Sequence, residues 1–331
     1  MYNKKSSKML HPFIFLSQWR SLPPFELISY VLMFASMPML AYGIIPYDLP
    51  MVSRIIFSIL SLYSGFFAAL IWNDITDADI DCIAHPDRPV PSGRISKKKF
   101  FTIALLFSFL TFFFALLINI WCLFLVGMSA LFVTFHNKYL KKMIKLPAYS
   151  EIFTPIQWIV VVIFGFFTVW TMNQSGSITI ALPIFGDTLT FTRSEFFIMI
   201  LLVIFTYFTD NAHDLPEGIH DYNGDMKAGV KTYATSFGKK NAARISFSMY
   251  ILSGVLGVLI YYYTTLSFMF LIPFIFIWLY TISFSYRLLK ADESDMSKFG
   301  SIVGRKGFNF LLISFDLIFI DICLQLILTL F

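Results

Sequence analysis

Long apolar stretches, separated by short polar segments, follow one another along most of the chain. Nine of these stretches approach the roughly 20 residues that a helix needs to cross a bilayer. They cover residues 25–45, 51–73, 100–118, 120–136, 149–170, 194–211, 243–263, 266–286 and 307–330. The pattern predicts an all-α, polytopic membrane protein with nine transmembrane helices, and residues 1–331 are expected to form one membrane-embedded domain.

Two of the segments between or before these stretches have features of their own. Residues 1–24 lack the apolar core of a cleavable signal peptide, and His11 to Trp19 are expected to form an interfacial amphipathic helix. Residues 171–193 contain several Gly, Ser and Thr residues, which predicts an external loop with a small β-hairpin.

Composition and charge refine this picture. The chain is 57% hydrophobic and 14% charged, whereas soluble domains average about 25% charged residues. Of the 25 Lys and Arg residues, all but Arg54 and Arg193 fall on one side of the predicted bundle. Because basic loops stay in the cytoplasm, the N-terminus is predicted to be cytoplasmic and the C-terminus external, in what we expect to be a bacterial cell membrane. Attraction to anionic lipid explains most of the basic loops, and no nucleic-acid partner is expected.

Carboxylates are concentrated where two apolar stretches end, both on the predicted cytoplasmic side. Ten of the 20 acidic residues lie in two short windows, 74–87 and 210–225. Asn73, just before the first window, and Asp77 and Asp81 within it follow i, i+4, i+8 spacing, which places them on one face of a helix. Loops that are acidic only for solvation have no reason to show such spacing.

The chemistry of these windows points to a metal and a phosphate. Carboxylates this close repel one another unless a cation joins them, and all-oxygen ligand sets suit Mg²⁺, which is often completed by substrate phosphates. Basic segments follow each window and contribute Arg88, Arg94, Lys227 and Lys231. Positive charge of this kind stabilises a departing diphosphate. The two windows therefore indicate binding and ionisation of a diphosphate with Mg²⁺.

These motifs resemble those of the UbiA superfamily of intramembrane prenyltransferases, which has nine transmembrane helices and two aspartate-rich motifs. The first family motif, N-D-x-x-D-x-x-x-D, is matched by Asn73, Asp74, Asp77 and Asp81. Residues 87–93 are similar to its D-R-P-x-P-S-G continuation.

The second family motif, D-x-x-x-D, is matched by Asp221 and Asp225, and residues 229–232 match its G-x-K-T ending. Asp214 lies where the family often has a further acidic residue. The resemblance covers nearly the whole chain.

The resemblance implies a fold in which the helices surround a central cavity capped by cytoplasmic loops. It implies that Mg²⁺ is held by Asn73, Asp74, Asp77, Asp81, Asp214, Asp221 and Asp225. It implies that the diphosphate is held by Arg88, Arg94, Lys141, Lys227 and Lys231. An isoprenyl diphosphate would ionise to an allylic carbocation, and a nucleophilic acceptor, commonly an aromatic ring in this family, would attack it.

The chain departs from the family pattern around the expected acceptor site. Ala78 stands where many members have Arg, and Tyr149-Ser150-Glu151 replaces a Gly-Asn pair. Where many members carry Tyr-Ser, this chain has His136 and Tyr139. We expect these two to be catalytic, with His136 as the base because imidazole has an intrinsic pKa near neutral. Capping of the fourth helix explains His136 equally well.

Two other functions are open at this point. A terpene cyclase would use the same ionisation but let the carbocation cyclise or meet water. An ion-coupled transporter would place its carboxylates at mid-membrane, often beside broken helices. The two acidic windows lie instead at predicted helix ends beside basic loops.

Two carboxylates lie inside an apolar stretch, and three cysteines are scattered along the chain. Asp316 and Asp321 lie inside the ninth stretch, where a carboxylate is costly and is usually paired. We expect Asp316 to be part of a hydrogen-bonded structure and Asp321 to be solvated near the outer end. Cys82, Cys122 and Cys323 show no metal-ligand spacing, and Cys82 is expected to be an exposed free thiol.

Overall fold

The computed structural model describes residues 22–76, 78, 82, 88–140, 143–144, 146–169, 177–181 and 188–329. The interfacial helix expected for His11 to Trp19 lies outside the described residues. So do three predicted site residues, Asp77, Asp81 and Lys141.

Within the described residues the chain forms twelve α-helices and one two-stranded hairpin. The helices are α1 (Pro24–Tyr42), α2 (Leu49–Thr76), α3 (Lys97–Ile118), α4 (Ile120–Phe135), α5 (Tyr149–Phe153), α6 (Ile156–Val169), α7 (Arg193–His220), α8 (Tyr222–Ala228), α9 (Tyr233–Phe237), α10 (Lys239–Tyr263), α11 (Phe268–Lys290) and α12 (Glu293–Leu328). A π-helical turn, His136–Leu140, continues α4. Strands β1 (Ser177–Ala181) and β2 (Thr188–Thr192) pair antiparallel, which confirms the predicted hairpin.

The described helices form a bundle that is typical of a multi-pass membrane protein. Eight spans are long and apolar enough to cross a bilayer, with α5 and α6 counted together as one. Helix α4 is apolar but has only 16 residues, or about 24 Å, against a hydrocarbon core of about 30 Å. The π-helical turn after α4 extends it. The protein is therefore an all-α membrane protein, and the nine predicted stretches match the described helices.

The long helices follow one another around a closed ring. Each packs against the next in chain order, from α1 through α2, α3, α4, α6, α7, α10 and α11 to α12, and α12 returns to α1. Further contacts cross the ring, and the most extensive of them join α1 to α6 and α7 to α12. These crossings bring α1, α6, α7 and α12 together in the interior of the bundle.

Two helices, α7 and α12, extend furthest beyond the apolar stretches that predict them. The stretch 194–211 becomes part of α7, which continues to His220. The stretch 307–330 becomes part of α12, which already begins at Glu293. Hydropathy detects the part of a helix that lies in lipid, whereas the helix itself continues past it. Much of the second acidic window is therefore helical.

Helix α7 contains a proline, and a neighbouring helix compensates for it. Pro216 has no N–H group, so the carbonyl of Ala212, four residues earlier, loses its helical donor. The Ser246 hydroxyl of α10 donates to that carbonyl at 2.7 Å. Transmembrane helices keep prolines where a neighbour satisfies the freed backbone group in this way. The last two turns of α7 consequently remain helical.

Helices α7 and α12 approach closely beside the acidic residues. A Cβ atom on Gly300 would lie 2.5 Å from the carbonyl oxygen of Pro216 and 3.2 Å from the backbone nitrogen of His220. A small residue at such a crossing lets two membrane helices pack backbone to backbone. This contact fixes the end of α7 against α12.

The two carboxylates inside α12 are both hydrogen-bonded. Ser29 of α1 donates to Asp316 at 2.6 Å, which confirms the hydrogen-bonded environment expected for Asp316. The prediction that Asp321 is solvated is wrong, because its side chain is only 1% exposed. Asp321 accepts hydrogen bonds from the backbone and hydroxyl groups of Ser267 and from Gln325. At membrane depth a carboxylate needs such partners, and Asp321 obtains them from the connection between α10 and α11.

Candidate functional site

The first acidic window begins in the last turn of α2, with Asn73 and Asp74. The Asp74 side chain is fully buried, and its Oδ1 lies 3.6 Å from Arg88 Nη1. A buried carboxylate needs a countercharge of this kind. The ion pair ties the segment after the first motif back to α2.

A compact turn, residues 88–96, follows this ion pair. The backbone N–H and the hydroxyl of Ser92 donate to the Arg88 carbonyl at 2.9 Å and 2.6 Å. Arg94 Nε donates to the Ser92 hydroxyl at 3.1 Å. Two predicted diphosphate-binding residues, Arg88 and Arg94, therefore belong to one hydrogen-bonded turn at the end of α2.

The second acidic cluster lies along one face of α7 and just after it. Asp210, Asp214, Glu217 and Asp221 follow i, i+4, i+7, i+11 spacing, which aligns them on one helix face. His213 lies beside them, with Nε2 2.9 Å from Asp210 Oδ1 and Nδ1 3.4 Å from Asp214 Oδ1. Ligand atoms of His213, Asp214 and Glu217 all lie within 4.8 Å of one another. We call this set the acidic face of α7.

Some carboxylate oxygens of the acidic face accept no hydrogen bond from the described residues. Oδ2 of Asp210 and Oδ2 of Asp214 are buried and have no hydrogen-bond partner among the described residues. A protonated His213 would offset one negative charge, but the carboxylates outnumber it. Several carboxylate oxygens that converge in this way are the donor set that Mg²⁺ prefers. The residues present therefore fit a divalent cation.

Helix α8 carries the second motif. The Asp225 N–H donates to the Asp221 carbonyl at 3.0 Å, so these residues are one helical turn apart, as their spacing predicts. Gly229 ends α8 with a φ of 70°, which favours glycine at the end of a helix. Lys227 and Lys231, predicted to bind diphosphate, lie on this segment with exposed side chains.

The beginning of α5 contacts the segment that follows α8. The Ser150 N–H donates to the Lys231 carbonyl at 3.2 Å. Glu151, which is 4% exposed, accepts a hydrogen bond from the Tyr233 N–H through Oε2. Burial raises the pKa of the Tyr233 phenol above its ordinary value. The connection between α4 and α6 therefore joins the second motif in one structural unit.

Aromatic rings connect the helices that carry the two acidic windows. The Tyr30 ring of α1 lies 4.5 Å from Phe66 of α2, 5.8 Å from Trp158 of α6 and 6.5 Å from Phe308 of α12, between ring centroids. Phe308 lies 5.1 Å from the His213 ring of α7. We call Tyr30, Phe66, Trp158 and Phe308 the aromatic cluster. The faces of such rings attract cations.

A cavity of about 310 Å³ adjoins the acidic face, a size at the lower end for ligand pockets. Its lining combines acidic, basic and aromatic side chains: Glu26, Glu217, His220, Asp221, Ser301, Arg305 and Phe308. Phe308 also belongs to the aromatic cluster, so the charged side chains that line the cavity lie next to that cluster.

The two predicted catalytic residues lie in the π-helical turn after α4. The His136 ring stacks on Tyr149 with centroids 5.5 Å apart, and its backbone caps α4. The Tyr139 side chain is 43% exposed and lies 5.3 Å from Phe135. Tyr149 belongs to α5, so His136 contacts the same short helix that contacts the second motif. Their catalytic role stays a prediction.

Several residues of this site were not expected from the sequence. His213 and Glu217 lie beyond residue 211, where the predicted apolar stretch ends. Their i, i+4 spacing places them on one helix face only because α7 continues to His220. The aromatic cluster has no signal of its own, because the chain contains 40 Phe residues. Glu151 is expected near the mouth of the cavity as a departure from the family pattern, but its burial and its hydrogen bond with Tyr233 have no signal in the sequence.

The chain is similar to known proteins in both sequence and structure. A model of the UbiA prenyltransferase family matches residues 30–303. A digeranylgeranylglyceryl phosphate synthase from Saccharolobus solfataricus is 29% identical over 195 residues, which cover 58% of this chain and 60% of that protein. The chain therefore matches less than two thirds of the length of this relative.

Solved structures share the fold. The apo structure of a UbiA homologue from Aeropyrum pernix K1 has a TM-score of 0.63 and 17% identity, covering 87% of this chain and 98% of that one. A UbiA homologue from Archaeoglobus fulgidus bound to DMAPP and Mg²⁺ has a TM-score of 0.54 and 15% identity, covering 87% and 96%. At this low sequence identity, the similarity shows a shared fold only. The family match, in contrast, extends over most of the sequence, and the chain belongs to the UbiA prenyltransferase family.

Proposed function

We propose that this protein transfers a prenyl group from an isoprenyl diphosphate to a nucleophilic lipid-precursor acceptor, with Mg²⁺ as cofactor. The observation that carries the proposal is the acidic face of α7. Asp210 and Asp214 have buried oxygens without a hydrogen-bond partner among the described residues, Glu217 and Asp221 line a cavity, and His213 contacts the aromatic cluster. A homologue of the same fold binds DMAPP and Mg²⁺, which is consistent with the same ligands here.

The charged residues divide into two roles in this proposal. Those that would hold Mg²⁺ are Asn73, Asp74, Asp77, Asp81, Asp214, Glu217, Asp221 and Asp225. Bound Mg²⁺ supplies positive charge that offsets the negative charge on the departing diphosphate. Those that would contact the diphosphate directly are Arg88, Arg94, Lys141, Lys227 and Lys231.

The reaction would begin with cleavage of the bond between the allylic carbon and the diphosphate oxygen. The electron pair leaves with the diphosphate, and an allylic carbocation remains. The aromatic cluster, which is built around the fully buried Tyr30, can stabilise that cation through the faces of its rings and can keep water away from it. The acceptor then forms a bond to the allylic carbon and loses a proton.

The acceptor class is the finer part of the proposal. The S. solfataricus relative is named for a glyceryl phosphate product, which supports an alcohol group as the nucleophile. An aromatic ring is the acceptor that the motif resemblance implies. Both are electron-rich groups of lipid precursors, so the same ionisation serves either one.

The proposal is tested with purified protein, Mg²⁺ and labelled isoprenyl diphosphates of several chain lengths. Each donor is combined with a glycerol-phosphate prenyl ether, with a panel of phenolic acids, or with no acceptor. Label in a glycerol ether or in a phenolic product supports the proposal and identifies the acceptor class. Consumption of the donor to a cyclic or hydroxylated hydrocarbon without acceptor would instead identify a terpene cyclase. If no donor is consumed under any condition, the proposed function is overturned.

A further inference from the structure

Glu151 combines deep burial with an unsatisfied oxygen. Its side chain is 4% exposed. Oε2 accepts the hydrogen bond from Tyr233, but Oε1 is buried and has no hydrogen-bond partner among the described residues. Burying a carboxylate oxygen without a partner is costly. A positive group beside Oε1 would remove that cost.

The unsatisfied oxygen points at α7. A Cβ atom on Gly218 would lie 2.5 Å from Glu151 Oε1, so the missing side chain at position 218 leaves the space that the carboxylate enters. Gly218 is one helical turn after Asp214 and one residue after Glu217. The Glu151 carboxylate is thus directed at the part of α7 that carries the acidic face.

The neighbours of Glu151 are themselves acidic. Both Asp214 and Asp225 interact electrostatically with Glu151, although they belong to different helices. Carboxylates that approach one another in a buried site repel unless a cation lies among them. Oε1 of Glu151, the buried Oδ2 of Asp214 and the side chain of Asp225 would together offer oxygens from three elements, α5, α7 and α8.

The backbone around Glu151 is held in place from two directions. The Ser150 N–H is bonded to the Lys231 carbonyl at 3.2 Å, and the Ala148 N–H to the Ser236 hydroxyl at 3.0 Å. These bonds fix α5 against the segment after the second motif. A ligand for a cation needs such support from the groups around it.

We propose that Glu151 is a ligand of the cation bound at the acidic face of α7, with Oε1 binding the cation while Oε2 holds the Tyr233 backbone. This inference rests on the proposed function, because it assumes that the acidic face binds a divalent cation with a diphosphate. It adds to the two aspartate-rich motifs a third contribution, from the connection between α4 and α6. Through Tyr233 it also couples cation binding to the segment that carries Lys231.

The test uses Mn²⁺ as a paramagnetic substitute for Mg²⁺ and measures its binding to the purified full chain by electron paramagnetic resonance. The titration is done with an unreactive isoprenyl S-thiolodiphosphate present. Glu151→Gln is the informative variant, because the amide keeps a carbonyl oxygen for the Tyr233 N–H but removes the negative charge. Glu293→Gln, an exposed glutamate in the first turn of α12, is the matched control.

The expected result is that Glu151→Gln weakens Mn²⁺ binding at least about tenfold, while Glu293→Gln binds like the wild type. Thermal unfolding of the two variants should occur within a few degrees of the wild type. If Glu151→Gln binds Mn²⁺ with wild-type affinity, the inference is overturned and the proposed function stands. If the wild type itself binds no Mn²⁺ and consumes no isoprenyl diphosphate, both fail together.

Discussion

His213 lies between two carboxylates of α7, 2.9 Å from Asp210 and 3.4 Å from Asp214. A protonated His213 would offset part of their negative charge. One imidazolium cannot neutralise Asp210, Asp214 and Glu217 together. Uncompensated carboxylates near the membrane are costly and are usually functional. A divalent cation would supply the missing positive charge and a partner for the buried Oδ2 atoms of Asp210 and Asp214.

Removal of a carboxylate from the second motif should abolish the reaction and leave the fold intact. Asp225→Ala is expected to lower prenyl transfer by about 100-fold or more, in the range found for losing one stabilising group at a reacting site. Its side chain is half-buried on the short helix α8, so the bundle should remain folded. Transfer of labelled prenyl groups and thermal unfolding are measured on the same preparation.

The matched control for Asp225→Ala is Asp295→Ala, an exposed aspartate in the first turn of α12. This variant should be as active as the wild type. Full activity of Asp225→Ala at normal expression would remove the second motif from the reaction.

His136 offers a second test at the level of one side chain. His136→Ala is expected to slow transfer to the acceptor while leaving binding of the diphosphate largely unchanged, because its ring contacts α5 rather than the acidic face. Transfer rate and donor binding are measured together. Unchanged transfer, or loss of donor binding, would return His136 to the role of a helix cap.

At the scale of elements, α7 is the helix on which the site depends. It passes through the bilayer, contains Pro216, and continues for nine residues past the end of its predicted stretch, where the acidic face lies. Ser246 of α10 and Gly300 of α12 support this extension from two sides. The chemistry of the site therefore rests on packing contacts made by other helices.

Loss of the Ser246 hydroxyl should destabilise the protein. Ser246→Ala leaves the buried Ala212 carbonyl without a donor, and we expect this to lower the free energy of unfolding by about 1 to 2 kcal/mol. Thermal unfolding in detergent reports the change. Ser248→Ala is the control, because that exposed hydroxyl bonds only within its own helix at 3.1 Å. Equal stability of the two variants would contradict the compensation described for Pro216.

Element existence could be predicted from the sequence better than element ends. The apolar stretches locate the helices because lipid exposure demands apolar side chains. The extension of α7 could not be seen in this way, since a polar segment with a proline usually signals a helix end. It stays helical because of Ser246 and Gly300, which lie 30 or more residues away in the chain. For the same reason, the aspartate motifs could be identified from their spacing, whereas Glu151 and the aromatic cluster could not.

The whole molecule is a ring of helices crossed by the α1–α6 and α7–α12 contacts. The end of α2 and the end of α7 lie on the same side of the bundle, because the chain crosses the bundle four times between them, through α3, α4, α6 and α7. The aromatic cluster joins α2 to α7 through α1 and α12. Asn73 and Asp74 at the end of α2 therefore lie at the same end of the bundle as the acidic face of α7, as a shared site requires.

The orientation of that end in the membrane is open to a direct test. The distribution of Lys and Arg predicts that it faces the cytoplasm. In a Cys82→Ser background, Ser92→Cys should react with a membrane-impermeant thiol reagent only after the cells are opened. Thr265→Cys, exposed in the connection at the opposite end, should react in intact cells. Labelling of Ser92→Cys from outside would reverse the topology.

The need for a divalent cation is the decisive property of this site, because the two acidic windows are proposed to act through a bound cation. Release of inorganic diphosphate from a labelled isoprenyl diphosphate is measured with purified protein and acceptor, first with Mg²⁺, then with excess EDTA, and again after Mg²⁺ is restored. We expect release to stop in EDTA, to return with Mg²⁺ or Mn²⁺, and to be slower with Ca²⁺, which prefers more ligands and longer bonds. Undiminished release in excess EDTA would contradict this expectation.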